Sequence, residues 1–153
     1  MDAANYPNFE LKQYTPEHIN SCAKLFFDVF TDEPFNYQLT ESNMLRYLTD
    51  ISNMANFRGY MYFMDGKLIG MCFGCLIDYF GTLSYDIKEV AVAKSCQGIG
   101  AGAAFFRAIE KNLTAAGVKA VTLATQKEIP AFKFYKKNGY SPSESTVYMS
   151  KQL

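Results

Sequence analysis

Residues 89–110 read EVAVAKSCQGIGAGAAFFRAIE, and they bring together the groups in this chain best suited to chemistry. An apolar β-type run (Val90, Ala91, Val92) passes into a glycine-spaced turn, Gln97-Gly98-Ile99-Gly100-Ala101-Gly102. A helical pattern with Phe105, Ile109 and Leu113 on one face follows at once. At a strand-to-helix junction of this kind, successive backbone N–H groups and the positive end of the helix dipole converge, so it can hold an anion without a dedicated side chain. A phosphate-bearing ligand is the first expectation. A GxxxxGK[ST] phosphate loop is absent, because no Gly-Lys followed by Ser or Thr stands at the required spacing: counting from Gly100, for example, Phe105-Phe106-Arg107 occupy those places. The spacing is GxGxG past the middle of the chain, whereas a dinucleotide fingerprint is GxGxxG in an early βαβ unit. Glu89 opens the stretch. In a regular strand it shares a face with Leu83, Tyr85, Ile87 and Ala91, while Asp86 shares the other face with Lys88. A carboxylate on a mostly apolar face loses solvation, and its pKa rises toward the range of a general base. Asp86 is the second candidate.

Gln97, Gly100 and Gly102 match the acyl-CoA-binding signature [QR]xxGx[GA]. Together with the hydrophobic strand before them and the segment Phe134-Tyr135-Lys136-Lys137-Asn138-Gly139-Tyr140, they make the chain resemble the GCN5-related N-acetyltransferase (GNAT) family. The resemblance implies acetyl-CoA as co-substrate. Amides of Gln97, Gly98, Ile99, Gly100, Ala101 and Gly102 would hold its pyrophosphate, and backbone at Val90, Ala91 and Val92 would pair with the pantetheine arm. It implies a glutamate base on the strand of Glu89, acting directly or through water. It also implies Tyr135 as general acid toward the CoA sulfur, although Tyr135 and Phe132 lie three apart and packing on one helix face is the plain alternative. Glu128 stands where many members carry a cofactor-binding Asn.

The elements that must position these groups can be read in order. Phe9 to Tyr14 forms a strand. Thr15-Pro16-Glu17 opens a helix with Ile19, Cys22, Phe26 and Val29 inward, stopping near Phe30. A polar and aromatic loop follows, and Thr40 caps a second helix carrying Leu45, Leu48 and Ile51. Strands over Arg58 to Met64 and Lys67 to Ile77 flank Asp65-Gly66, a strong hairpin signal. Leu83 to Val92 is strand four, a helix runs from about Gly100 to Ala116 where Gly117 ends it, and Val118 to Thr125 is strand five, set parallel to strand four by the crossover. Pro130 starts a short helix ending at Asn138-Gly139, and Thr146 to Met149 supplies a last strand. The fold class is α/β with a mixed sheet in the order β-α-α-β-β-β-α-β-α-β. This is the order of the GNAT fold, whose parallel strands four and five splay apart to admit the cofactor.

With 153 residues, 49% of them hydrophobic, the chain is expected to be one domain spanning residues 1–153 with a substantial core. Fifteen basic and fifteen acidic residues balance, which argues against general nucleic-acid binding. No apolar run approaches the length of a membrane span, and the N-terminus MDAANYPNFE lacks the parts of a signal peptide, so a cytoplasmic location with no membrane partner is expected. The four cysteines read as free thiols. Cys72 and Cys75 have CxxC spacing, but residues three apart in a strand point to opposite faces. A zinc site would need a second ligand pair, and the only histidine, His18, lies far off, so no metal is expected. Cys96 stands beside the anion loop without a histidine base at hand.

The two ends of the chain carry opposite charge. Residues 1–60 have a net charge of −4 and residues 111–153 of +5, fields suited to an amine and to CoA phosphates respectively. Asp32 and Glu33, followed by Phe35 and Tyr37, lie in the loop between the first two helices, which lines the acceptor site in the family the chain resembles. The reading is therefore an N-acetyltransferase that moves the acetyl group of acetyl-CoA directly to a primary amine of a small cationic molecule. A peptide or protein amine as acceptor, a non-catalytic CoA-binding sensor, and a cofactor-free peptide-binding module are the alternatives. Homodimerisation is a habit of that family.

Overall fold

The computed structural model describes residues 7–153. The N-terminal leader reading and Asp2, one of the acids counted above, lie largely or wholly outside them. In chain order the elements are β1 (Phe9–Gln13), a 3-10 turn (Pro16–His18), α1 (Ile19–Phe30), α2 (Glu41–Ser52), β2 (Phe57–Met64), β3 (Lys67–Tyr79), β4 (Thr82–Val92), a second 3-10 turn (Lys94–Cys96), α3 (Ala101–Ala115), β5 (Ala120–Leu123) and α4 (Pro130–Lys137). The strands form one mixed sheet in the order β1-β2-β3-β4-β5. The first three pairings are antiparallel and β4–β5 is parallel. This is the expected α/β class and element order up to α4.

Local chemistry accounts for most boundaries. Thr40 caps α2 by accepting the Asn43 N–H at 3.1 Å. Asp65 and Gly66 both have positive φ, 49° and 79°, the primed-turn geometry that lets β2 and β3 continue as a twisted hairpin. Gly117, at φ 84°, ends α3. Each face of the sheet has its own core. Cys22, Phe26, Val29, Met44, Leu48 and Ile51 of α1 and α2 pack on Met61, Met71, Phe73 and Ala91. Phe105, Phe106, Ile109 and Leu113 of α3 pack on Tyr60, Tyr62, Cys72, Tyr85 and Ile87. All four cysteines are free and buried, Cys96 among them. No group of three or more potential metal ligands occurs among the described residues, nor any helix there long and apolar enough to cross a membrane.

Three expectations need correction. Strand five runs only over Ala120–Leu123, because it pairs with β4 from Ser84 to Ile87 and then has no neighbour. Thr146 to Met149 forms no strand: residues 141–153 are exposed throughout and pair with nothing in the sheet. A β-type pattern alone does not make a strand, since a strand exists only against a partner edge. Finally, β4 is not regular. Gly74 of β3 faces Ile87 while the next residue back, Phe73, faces Glu89, so Lys88 is an extra residue, a β-bulge. The bulge shifts the alternation by one. Tyr85 and Ile87 belong to the α3 side, whereas Ala91 belongs to the α1/α2 side. Glu89 lies with Ala91 and not with Leu83, Tyr85 and Ile87.

Candidate active site

The bulge and the end of β5 coincide. Beyond Ile87 and Leu123 the parallel strands part, and Lys88 to Val92 continue as a strand bonded to β3 alone. Their outward N–H and C=O groups form an open edge at the splay. Gln97 returns to the end of this edge, its side-chain amide donating to the Val92 carbonyl at 2.9 Å. The loop then rises through Gly98 and Gly100, with φ of 77° and 84°, and a side chain at either position would be strained. Gly100 is the N-cap of α3, and no side chain caps that end. A Cβ on Gly98 or Gly100 would meet nothing within 4 Å, so the backbone there is open to a ligand. Gly102 has a different reason to be glycine: its Cβ would come 3.3 Å from the Phe134 ring, so it allows α4 to seat close to α3.

Glu89 faces α2. Its Oε1 accepts the Tyr47 hydroxyl proton at 2.6 Å. Burial pushes the Glu89 pKa up, and the Tyr47 hydrogen bond, which favours the carboxylate, pulls part of the way back. Tyr47 escaped the sequence reading because no motif surrounds it and its partner is 42 residues away. Asp86, the second candidate base, is engaged at the splay: it is paired with Lys88 and accepts the Thr122 hydroxyl across the strand gap at 2.8 Å.

Tyr135 lies on α4 with its ring against Phe106 and Tyr140, each at 5.7 Å between centroids. Burial pushes its pKa up, and the neighbouring Cys72 and Glu89 add to the shift. The hydroxyl therefore keeps its proton at neutral pH. Its helix is anchored beyond the C-terminus, where the Tyr140 hydroxyl donates to Glu110 of α3 at 2.9 Å.

The loop after α1 divides into two parts. Asp32 forms an ion pair with Lys94 at 2.7 Å, which, with the Glu33 N–H, holds its carboxyl below the usual range. Asp32 opens onto a cleft of about 560 Å³ lined also by Lys24, Asp28, Lys67 and Lys94, and it ties this loop to the turn before the glycine loop. Phe35 and Tyr37 pack on Phe30, Phe35 tilted against it at 4.5 Å and Tyr37 stacked on it at 6.0 Å between centroids. Phe30 stacks on Phe26 at 4.1 Å, and Phe26 meets Tyr47 at 6.4 Å. An aromatic row thus runs from the loop to the tyrosine that holds Glu89. Glu33 has no side-chain partner among the described residues.

The model of the acetyltransferase (GNAT) family matches residues 19–140, from the start of α1 to the anchor of α4. The chain belongs to the GNAT family. Solved structures agree on the fold across nearly the whole length. An aminoglycoside acetyltransferase, meta-AAC0020, from an uncultured soil metagenomic sample, in complex with sisomicin, aligns at 18% identity with a TM-score of 0.73, covering 95% of this chain and 96% of that one. AAC(6')-Iy in complex with a bisubstrate analogue, CoA-S-monomethyl-acetylneamine, aligns at 16% identity and TM-score 0.71, covering 95% and 99%. A GNAT family acetyltransferase from Staphylococcus aureus subsp. aureus USA300_TCH1516 gives 17%, 0.70, 95% and 98%. A search of curated proteins by sequence finds no match. Acetyl-CoA is the co-substrate of this GNAT family.

Proposed function

We propose that the protein is an acetyl-CoA-dependent N-acetyltransferase whose acceptor is the primary amine of a small cationic molecule. The observation that carries this reading is the position of Glu89, a desolvated carboxylate held by Tyr47 just beyond the point where β4 and β5 stop pairing. The fit to acetyl-CoA rests on the positive-φ glycines, the α3 N-terminus without a side-chain cap and the open β4 edge. Backbone of Gly98 to Gly102 would hold the pyrophosphate, and Val90 to Val92 the pantetheine arm, as an added strand. Acetyl-CoA supplies an acetyl group already activated as a thioester.

The protein's own groups then have two proton tasks. An amine is mostly ammonium at neutral pH and must lose a proton before its nitrogen can attack. Glu89, with its raised pKa, accepts that proton directly or through water. Tyr135 holds a proton for the departing sulfur. The aromatic row of Phe30, Phe35, Tyr37 and Tyr47 offers ring faces to the carbon frame or the cation of the acceptor. Glu33 adds a negative charge at its mouth, while Asp32 acts mainly through Lys94. The aminoglycoside acetyltransferases among the similar folds keep cationic amines in view as the acceptor class. Thiol release from acetyl-CoA, measured across a panel of amines and peptides, tests the reading. Release with a cationic amine is expected; acetyl-CoA bound without release to any acceptor would leave a CoA-binding sensor instead.

A further inference from the structure

The extra residue of β4 has two places where it could sit. Ile87 faces Gly74 and Glu89 faces Phe73, with Lys88 left over between them. Were Glu89 the residue left over, Lys88 would face Phe73, and every pairing from Val90 opposite Cys72 onward would be unchanged. The choice decides which of the two side chains lies under α2 with Tyr47. Register is ordinarily fixed by the apolar side chains that must turn inward. Lys88 and Glu89 are both charged, so that pattern does not choose between them.

Two side-chain contacts make the choice. Glu89 is held by the Tyr47 hydroxyl at 2.6 Å. Lys88 is held by Asp86, whose carboxylate divides its oxygens: Oδ1 accepts the Thr122 hydroxyl of β5 at 2.8 Å, and Oδ2 accepts from the Lys88 ammonium. The Lys88 and Asp86 side chains are 36% and 24% exposed, so the pair is partly shielded from water, and the bond to Asp86 pushes the Lys88 pKa up and keeps the ammonium charged. Thr122 stands directly opposite Asp86 in the short stretch where β5 pairs with β4. Asp86 is thus fixed from β5 and in turn fixes the bulged residue, at the point where the parallel strands part.

We propose that Asp86, anchored by Thr122, is a positioning residue for the reaction: by holding Lys88 as the bulged residue it keeps Glu89 opposite Phe73 and in reach of Tyr47. This role rests on the reading of Glu89 as the base, and it gives Asp86 a task other than proton transfer. It also accounts for a lysine at the bulge. The slipped arrangement would carry an ammonium onto the apolar surface of Phe73 and Ala91, and the cost of burying that charge opposes the slip.

Two quantities are read by NMR on the whole chain, without acetyl-CoA or an amine: the cross-strand contact of the Phe73 backbone, and the Glu89 pKa with and without Tyr47→Phe. In the wild type Phe73 should contact Glu89, and Tyr47→Phe should raise the Glu89 pKa by about one unit. Lys88→Met loses the tie to Asp86 and removes the cost of burying an ammonium. In that variant a contact between Phe73 and position 88 should appear, and the effect of Tyr47→Phe should shrink toward zero. Asp86→Ala, which leaves the lysine in place, should do the same to a smaller degree, and Lys88→Arg, which can still pair with Asp86, should behave as the wild type. A change of charge near Glu89 adds to the effect of the Tyr47 hydroxyl, whereas a change of register removes what that hydroxyl acts on, so the two effects must be non-additive. A retained contact between Phe73 and Glu89, with an undiminished Tyr47→Phe shift in both Lys88→Met and Asp86→Ala, overturns the proposal. No Tyr47→Phe shift in the wild type overturns the hold of Tyr47 on Glu89 and this role of Asp86 with it. If Lys88→Met fails to fold, Asp86→Ala, at a partly exposed site, decides. Thiol release is measured separately, so an enzyme without turnover would sink the proposed function while the register is still read from these spectra.

Discussion

Replacing Tyr47 by Phe keeps the ring beside Phe26 and removes only the hydroxyl that donates to Glu89. The sign of the effect follows from the protonation state the bond favours. A donor stabilises the carboxylate, so it lowers the Glu89 pKa against the upward push of burial. Without it burial acts unopposed and the pKa rises further. A hydrogen bond to a charged group is worth about 1.5–3 kcal/mol. The Tyr47 side chain is 43% exposed, which favours the low end. At 1.36 kcal/mol per pKa unit, the expected shift is about one unit upward.

The assay is the pH profile of kcat/KM for thiol release, with one amine used for both proteins. The acid limb of the variant should lie about one unit higher than that of the wild type, giving a loss of about tenfold well below the limb and little change on the plateau. The same shift has a stability counterpart. A carboxyl whose folded pKa is raised binds its proton longer in the folded state, so stability falls as pH rises from the ordinary glutamate range through the raised value. The variant should therefore lose more melting temperature than the wild type on going from acid to neutral pH. An acid limb that stays in place, or moves down, would refute the assignment of Glu89 as a base held by Tyr47.

The other expected outcomes address the remaining parts of the site. Gly100→Val puts a β-branched residue at φ 84° and should abolish most acetyl-CoA affinity by calorimetry; a folded variant with unchanged affinity removes the glycine loop from the cofactor site. Tyr135→Phe should lower kcat by roughly 10²- to 10⁴-fold with little change in acetyl-CoA binding, and an unchanged kcat would leave the residue a packing role. Gly74→Ala would bring a Cβ within 2.6 Å of the Asp86 carbonyl, opposite the bulge. It should cost about 1–3 kcal/mol in denaturant unfolding and reduce kcat as well, because the same contact sets the turn of β4 that aims Glu89; lost stability at full activity would separate the bulge from catalysis.

How much of this was legible in the sequence depends on how local each feature is. The caps at Thr40 and Gly117, the Asp65-Gly66 hairpin and the glycine loop are decided within a few residues, and the structure has each where the sequence places it. The pairing partners of distant segments are not local. That is why Thr146 to Met149 reads as a strand and is not one, and why Tyr47 is silent in the sequence although it touches Glu89. The face of Glu89 failed for a more specific reason. Counting by twos assumes a regular strand, and the extra residue at Lys88 breaks the count. One signal was available: Gly74 sits in an otherwise bulky β3, and a glycine inside a strand often marks a bulge or a close backbone approach.

The bulge also ties together features that look independent in the sequence. Pairing of β5 with β4 stops at Ile87, the bulge follows at Lys88, and Glu89 comes next. A bulge bends its strand and increases the local twist. Beyond it β4 diverges from β5, which ends after four residues and leaves the edge of Lys88 to Val92 open. The same extra residue turns Glu89 from the α3 face to the α2 face, where Tyr47 holds it at 2.6 Å. A regular β4 would put the carboxylate under α3 among Tyr85 and Ile87, buried without that donor and away from the aromatic row. The edge that would pair with a pantetheine arm and the carboxylate that would take the amine's proton thus arise from one irregularity. Any change that restores regular pairing at Lys88 should disturb both together.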